Sequence, residues 1–166
     1  MGYQEITIKE FKESFIKILA DDWALFTAGK KDDFNTMTVS WGGIGYLWNL
    51  PVATIYVRPS RYTHEFIERN SEMTLSFFGG EKKNALAVCG KISGREGNKH
   101  EKAGLVPLFL EDGVSFEDAK IIITGSLLQS QKMILDNVTD ERVLDCYKNG
   151  DIHDIFVYQI KRILIA

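Results

Sequence analysis

The feature that most constrains this chain is a series of extended segments that follow one another with no long helix between them. Residues 23–28, 34–41, 51–58, 72–78, 119–133 and 155–165 each combine β-branched or aromatic residues with period-two alternation or a continuous apolar run, the signature of strands with one or both faces buried. Helical patterns are fewer and shorter. Residues 9–20 place Phe11, Phe15, Ile18 and Leu19 on one face and predict a packing helix, while 61–69, 82–88 and 140–148 predict three more. Strand and helix do not alternate as a parallel sheet requires, so the expected fold is mainly β with peripheral helices, an antiparallel barrel. The charged turn at 29–33 pairs the first two of these strands, and 119–133 is expected to be the longest strand, bending at Gly125. With 166 residues, 45% of them hydrophobic, the chain has enough apolar material for one core and is read as a single domain over 1–166.

Chemistry concentrates between Asn35 and Thr63. Residues 34–41 form a strand with one face toward a core and one toward a site, and 51–58 form a second that ends at Arg58. Pro59 then forces an extended or turn conformation on Arg58, Ser60 is a good N-cap, and the helix over 61–69 turns Phe66 and Ile67 inward. This order gathers free backbone N–H groups, a hydroxyl and two guanidinium groups around one small volume. A phosphate monoester carries about −1.5 to −2 charges near neutral pH, and a helix N-terminus offers it unpaired donors and a favourable dipole. Arg58 and Arg61 add planar, permanently charged donors. Three residues after the cap stands Thr63 rather than the Glu or Gln of a capping box, so its hydroxyl is expected to be free for a ligand. The stretch reads as built for a phosphorylated aromatic molecule; the competing reading is an ordinary capped helix with solvated arginines.

Other motifs are weaker. Gly42, Gly43 and Gly45 lack the spacing of a dinucleotide-binding loop and do not lead into a helix; they are expected to make a tight turn where a flat ring approaches the backbone. Residues 90–104 read as a polar surface loop able to fold over an anion, with Lys99 the preferred contact, or else as a merely solvated loop. Trp41 and Trp48 are candidates to flank a ring, although a tryptophan at strand spacing is more often core, and Met37 is equally ambiguous. Cys89 and Cys146 match no Cys-x-x-Cys pattern and read as small hydrophobes. The Asp151-Ile152-His153-Asp154 run lacks further nominated metal ligands, and His64 is expected at the surface. No hydrolytic triad, nucleophile elbow or His-Glu-x-x-His motif is present.

A formal net charge of −3 argues against nucleic-acid and anionic-membrane partners. The N-terminus has no basic-then-apolar signal, and no apolar run approaches the about 20 residues needed to span a bilayer. The expected location is the cytoplasm.

The run Asn35-Thr36-Met37-Thr38-Val39-Ser40-Trp41, then Pro51-Val52, then Val57-Arg58-Pro59-Ser60-Arg61-Tyr62-Thr63, resembles the flavin reductase-like family, flavoredoxin-type. The likeness continues through Leu75-Ser76-Phe77-Phe78, Cys89-Gly90 and Ser93-Gly94-Arg95 with Lys99, covering roughly residues 23–104. The resemblance implies a split β-barrel of the FMN-binding type, forming a homodimer with FMN near the interface. Its phosphate would lie on Arg58, Ser60, Arg61, Tyr62 and Thr63 and its ring against Asn35, Thr36, Met37 and Thr38, with Lys99 touching the phosphate or the ring. Thr36 and Thr38, or the backbone from Met37 to Ser40, would touch the ring, Trp41 would flank it, and His153 would line the substrate side. A flavin carries its own hydride chemistry and needs no side-chain acid, which agrees with the absence of a catalytic constellation. The expected activity is that of an NAD(P)H-dependent flavin reductase, passing electrons from NADH or NADPH through FMN to free flavin, a partner protein or a metal complex. The alternatives are a non-enzymatic FMN electron carrier and a ligand-free interaction module.

Overall fold

A computed structural model describes residues 2–166. Its centre is an antiparallel sheet in which β2 (Ala24–Lys30) and β3 (Asp33–Val39) form a hairpin, and β2 pairs on its other side with β6 (Glu72–Phe77). β6 pairs with β9 (Ile121–Lys132), β9 with β10 (Asp154–Ile165), β10 with β5 (Leu50–Val57), and β5 with β4 (Gly42–Leu47). A short β1 (Gln4–Ile6) adds to the far end of β10. The sheet therefore runs from β3 at one end to β4 at the other, yet only Ser40 and Trp41 separate these two strands in the chain. Three peptide steps reach at most about 11 Å, so the sheet must curl until its two ends meet at that corner. The result is a barrel left open between β3 and β4.

Alternation along the strands explains why so many are buried on both faces. Ala24, Phe26 and Ala28 of β2 point into the barrel with Met73, Leu75, Ile55, Phe156 and Ile163, whereas Leu25 points outward. Outside, Leu25, Ile122 and Leu164 pack under α2 (Lys83–Lys91), with Phe78, Leu86, Cys89 and Phe116. A two-stranded sheet, β7 (Pro107–Leu110) with β8 (Gly113–Phe116), completes this outer layer. The remaining helices, α1 (Tyr62–Arg69), α3 (Lys99–Lys102) and α4 (Glu141–Asp145), are short and lie outside the barrel sheet. Inside the barrel, the Tyr158 hydroxyl is the one buried side-chain polar atom without a hydrogen-bond partner among the described residues, and burial raises its pKa.

The expected bend at Gly125 falls at an irregularity in the sheet. The pairing steps from Ile160↔Gly125 to Arg162↔Thr124, so β10 carries an extra residue there, and bulges of this kind turn a strand at a barrel corner. A Cβ on Gly125 would lie 2.6 Å from the Gln159 carbonyl oxygen, so the close approach of the two backbones requires glycine.

Several expectations are corrected. Residues 9–20 do not form one helix: the Thr7 N–H and hydroxyl donate to Glu10 at 2.8 and 2.7 Å, a local turn that competes with helical hydrogen bonding. Only residues 15–21 wind, ending in the wide turn Lys17–Asp21, and Phe15 reaches the core edge-on to Phe77 at 5.9 Å. The glycines at 42, 43 and 45 lie within β4 rather than in a turn. The hairpin turn is Trp48-Asn49, with φ of 52° and 59°, the left-handed pair that two-residue hairpins require. His64 is not a surface residue, since its side chain is 12% exposed and Nε2 lies 2.8 Å from an Asp154 carboxylate oxygen. Cys89 is buried as expected, but Cys146 is exposed.

Candidate functional site

The open corner of the barrel holds a cleft of about 190 Å³. Its floor is the end of β3, where Met37, Thr38 and Val39 lead into Ser40 and Trp41, and its far wall is Tyr56 of β5 with Arg58, Arg61 and His153. Because β3 pairs with β2 alone, half of its backbone N–H and C=O groups face away from any ladder partner. Trp41, 48% exposed, leans over the opening, with its ring 5.2 Å from that of His153. His153 is buried and shares a 2.9 Å hydrogen bond with the Tyr147 hydroxyl through Nδ1. Burial, and then the nearby Arg58 charge, pushes its pKa down to about 4, so the imidazole is neutral near pH 7 and Nε2 is the nitrogen left for a ligand.

A second cleft, of about 510 Å³, adjoins the first and shares Arg58 and Arg61 with it. Arg58 leaves the end of β5 and donates to the carbonyls of Asp151 at 2.7 Å, Cys146 at 3.3 Å and Gly150 at 3.4 Å. Arg61, the residue before α1, donates to the Gly90 carbonyl at 2.6 Å. Lys99 is only 4% exposed, and its ammonium donates to the carbonyls of Cys89 at 3.1 Å and Ile92 at 3.3 Å. Both cations thus bind the carbonyl-rich C-terminal end of α2, where a helix dipole favours positive charge. Burial pushes the Lys99 pKa down to about 8. With Lys91, these three groups put four cations on one cleft. Among the described residues none of the four forms an ion pair with a carboxylate.

The structure brings most of the sequence-nominated residues to these clefts and withdraws four, Asn35, Thr36, Trp48 and Thr63. Met37, Thr38, Ser40, Trp41, Arg58 and Arg61 line the first, while Arg58, Ser60, Arg61, Tyr62 and Lys99 line the second. Thr63 is fully buried and accepts a 2.7 Å hydrogen bond from the buried Asn35 amide, so its hydroxyl is not free for a ligand. Thr36 is likewise buried, bonded to Thr27 and to the Phe26 carbonyl, both at 3.1 Å. Thr38 lines the cleft, but its hydroxyl is already given to the Leu86 carbonyl. Ser60 does not cap α1: the N-cap is Arg61, and the Ser60 N–H and hydroxyl both donate to the Asp151 carboxylate. Lys99 stands on α3 rather than in an irregular loop. Trp48 sits at the far tip of the β4–β5 hairpin, away from both clefts.

The sequence reading missed Tyr56 and Asp151 as site residues, whereas Lys91 lies in the 90–104 stretch read as able to fold over an anion. Tyr56 follows from strand alternation two residues before Arg58, but Asp151 lies 91 positions from the serine it binds and carries no local signal. Among the described residues no three His, Cys, Asp or Glu side chains gather as metal ligands, and no helix is long and apolar enough to cross a membrane.

A strand edge beside the rings of Trp41, Tyr56 and His153, joined to a cationic cleft, can hold a flat ring at one end and an anion at the other. Solved structures share the architecture. Flavoredoxin of Desulfovibrio vulgaris (Miyazaki F) superposes with a TM-score of 0.68 at 20% identity, over 94% of this chain and 77% of that one. An FMN-binding protein from Thermus thermophilus, solved with 1-cyclohex-2-enone, gives 0.66 at 20% identity over 96% and 79%. A Shewanella frigidimarina protein with a split barrel domain gives 0.68 at 16% identity over 92% and 71%. These likenesses establish the split-barrel fold. No curated protein matches the sequence significantly. Residues 18–165 match the family described as flavin reductase like domain, and by that match, over nearly its whole length, the chain belongs to this family.

Proposed function

We propose that this chain is an FMN-binding oxidoreductase that takes reducing equivalents from NADH or NADPH and passes them to free flavin, a partner protein or a metal complex. The observation that carries the reading is the set Arg58, Arg61, Lys91 and Lys99 around one cleft without a carboxylate partner in ion-pair range. Cations gathered on one cleft repel one another, and a bound anion relieves that repulsion. The strand-edge cleft that adjoins them accounts for the aromatic half of the ligand.

FMN, when bound, supplies the hydride and electron chemistry itself. Within this reading Arg61 and Lys99, with the N–H and hydroxyl of Ser60, would hold the phosphate, and the free edge of β3 from Met37 to Ser40 would offer backbone donors and acceptors to the ring. Trp41 and Tyr56 would shield one side of the slot from water. His153 presents a neutral imidazole, Nδ1 held by Tyr147, so it can give or accept a hydrogen bond at Nε2 without adding charge to the slot. Nicotinamide needs only an exposed ring face, which the half-open cleft leaves.

We also infer a homodimer. β4 is a terminal strand with Tyr46 73% and Trp48 55% exposed and Leu47 beside them, and an unpaired edge carrying large apolar groups favours a second copy. Two free cysteines and no disulfide among the described residues suit a reducing compartment, the cytoplasm.

The test is a spectrum. Purified protein loaded with FMN is mixed anaerobically with NADH and, separately, NADPH while the flavin band is followed. Rapid bleaching by either nucleotide is expected; bound flavin that neither nucleotide reduces would make the chain an electron carrier fed by another protein, and no retained flavin would remove the reading.

A further inference from the structure

The donors that a phosphate would claim already hold an anion that belongs to the chain. Asp151 places one carboxylate oxygen 3.1 Å from the Ser60 backbone nitrogen and the other on the Ser60 hydroxyl. Arg58 meanwhile spends its guanidinium on three carbonyls of the same segment, those of Cys146, Gly150 and Asp151. Residues 146–151 are thus fastened across the cationic cleft by the very groups that face it. The segment is mostly exposed, and it turns through Gly150 and Asp151 in the left-handed region, at φ of 75° and 54°, a conformation that aspartate tolerates better than most residues.

We propose that Asp151 is an internal stand-in for the ligand's phosphate: its carboxylate occupies the Ser60 donors when the cleft is empty and must leave them when a phosphate monoester binds, so that the 146–151 segment opens as the ligand enters. The proposal rests on the FMN reading for the identity of that ligand. A backbone N–H has one hydrogen to give, and two anions placed on the same donors repel each other. Burial works against the Asp151 charge, but the Ser60 hydroxyl and N–H, with Arg58 nearby, outweigh it and hold the carboxyl below the ordinary carboxylate range. Near neutral pH the competitor is therefore a carboxylate, charged like the phosphate it meets. The consequence is functional: flavin phosphate is held exchangeably, because every departure is met by a side chain ready to take its place.

The test uses Asp151→Asn, which keeps the shape and tolerates the left-handed conformation, and Asp151→Gly, which removes the side chain. FMN and riboflavin are titrated into wild type and both variants by fluorescence quenching, and inorganic phosphate by its effect on the melting temperature. Both variants should bind FMN about tenfold or more tightly than wild type, the scale of a charge-assisted hydrogen bond, and phosphate should act at correspondingly lower concentration. Riboflavin, which lacks the phosphate, should bind all three proteins equally. Unchanged or weaker binding of FMN and phosphate by variants with a native circular dichroism spectrum would overturn the proposal. If no protein binds flavin, the FMN reading fails, and the phosphate titration still decides the role of Asp151.

Discussion

His153 shows how one side chain can join stability to the site. Its ring is packed against Trp41 and bonded to Tyr147, and its pKa lies at about 4 against an ordinary 6.5 because burial and Arg58 both disfavour the charge. As pH falls through 6.5 the unfolded chain takes up a proton that the native chain refuses until about pH 4. Stability from this residue is therefore complete above pH 6.5 and lost progressively down to about pH 4. With the cleft side of the ring open to solvent, the loss should reach about 1–2 kcal/mol. Urea unfolding of wild type and His153→Gln between pH 7 and pH 4 should show it as a narrowing gap between the two proteins; a gap constant with pH would mean that the native imidazole takes up its proton as readily as the unfolded one. Residue identity was legible here in the sequence, as were Arg58, Arg61 and Lys99. Their partners were not: Arg61 and Lys99 bind carbonyls at the end of α2, and Ser60 binds an aspartate from beyond α4. Tertiary closure makes those contacts, and no local pattern encodes them.

Elements were legible in proportion to how strongly the core imposes a period. The segments predicted at 34–41, 51–58, 72–78, 119–133 and 155–165 correspond to β3, β5, β6, β9 and β10, because alternate residues of each face the barrel interior. The segment at 9–20 misled because Phe11 and Phe15 cover the barrel from a largely irregular chain, and their spacing mimics a helical stripe. The β4 glycines misled in the opposite sense, since a strand with one exposed face tolerates residues that elsewhere mark turns. Gly125 tests the element account. A side chain there meets the Gln159 carbonyl oxygen at 2.6 Å and the end of Met73 at 2.9 Å, and only the methionine can move aside. Gly125→Ala should destabilise by about 1–3 kcal/mol with the β10 bulge strained; a thermal melt matching wild type would show that the two strands are free to separate there.

For the whole molecule, the decisive property is that the sheet curls without closing. The open corner between β3 and β4 provides the cleft, and the same opening leaves β4 as a bare edge carrying Tyr46, Leu47 and Trp48. Trp48→Glu, at an exposed hairpin tip remote from both clefts, should leave the monomer folded and shift sedimentation from a two-chain to a one-chain species. An unchanged two-chain species would place the interface elsewhere, and a one-chain wild type would remove the dimer. The cationic cleft is probed by titrating wild type and Arg61→Ala with FMN and with riboflavin, followed by flavin fluorescence. The substitution should weaken FMN binding by about 1.5–3 kcal/mol, the loss expected for hydrogen bonds to a charged group, and leave riboflavin binding nearly unchanged. Equal affinity of both proteins for FMN would contradict the proposed phosphate site.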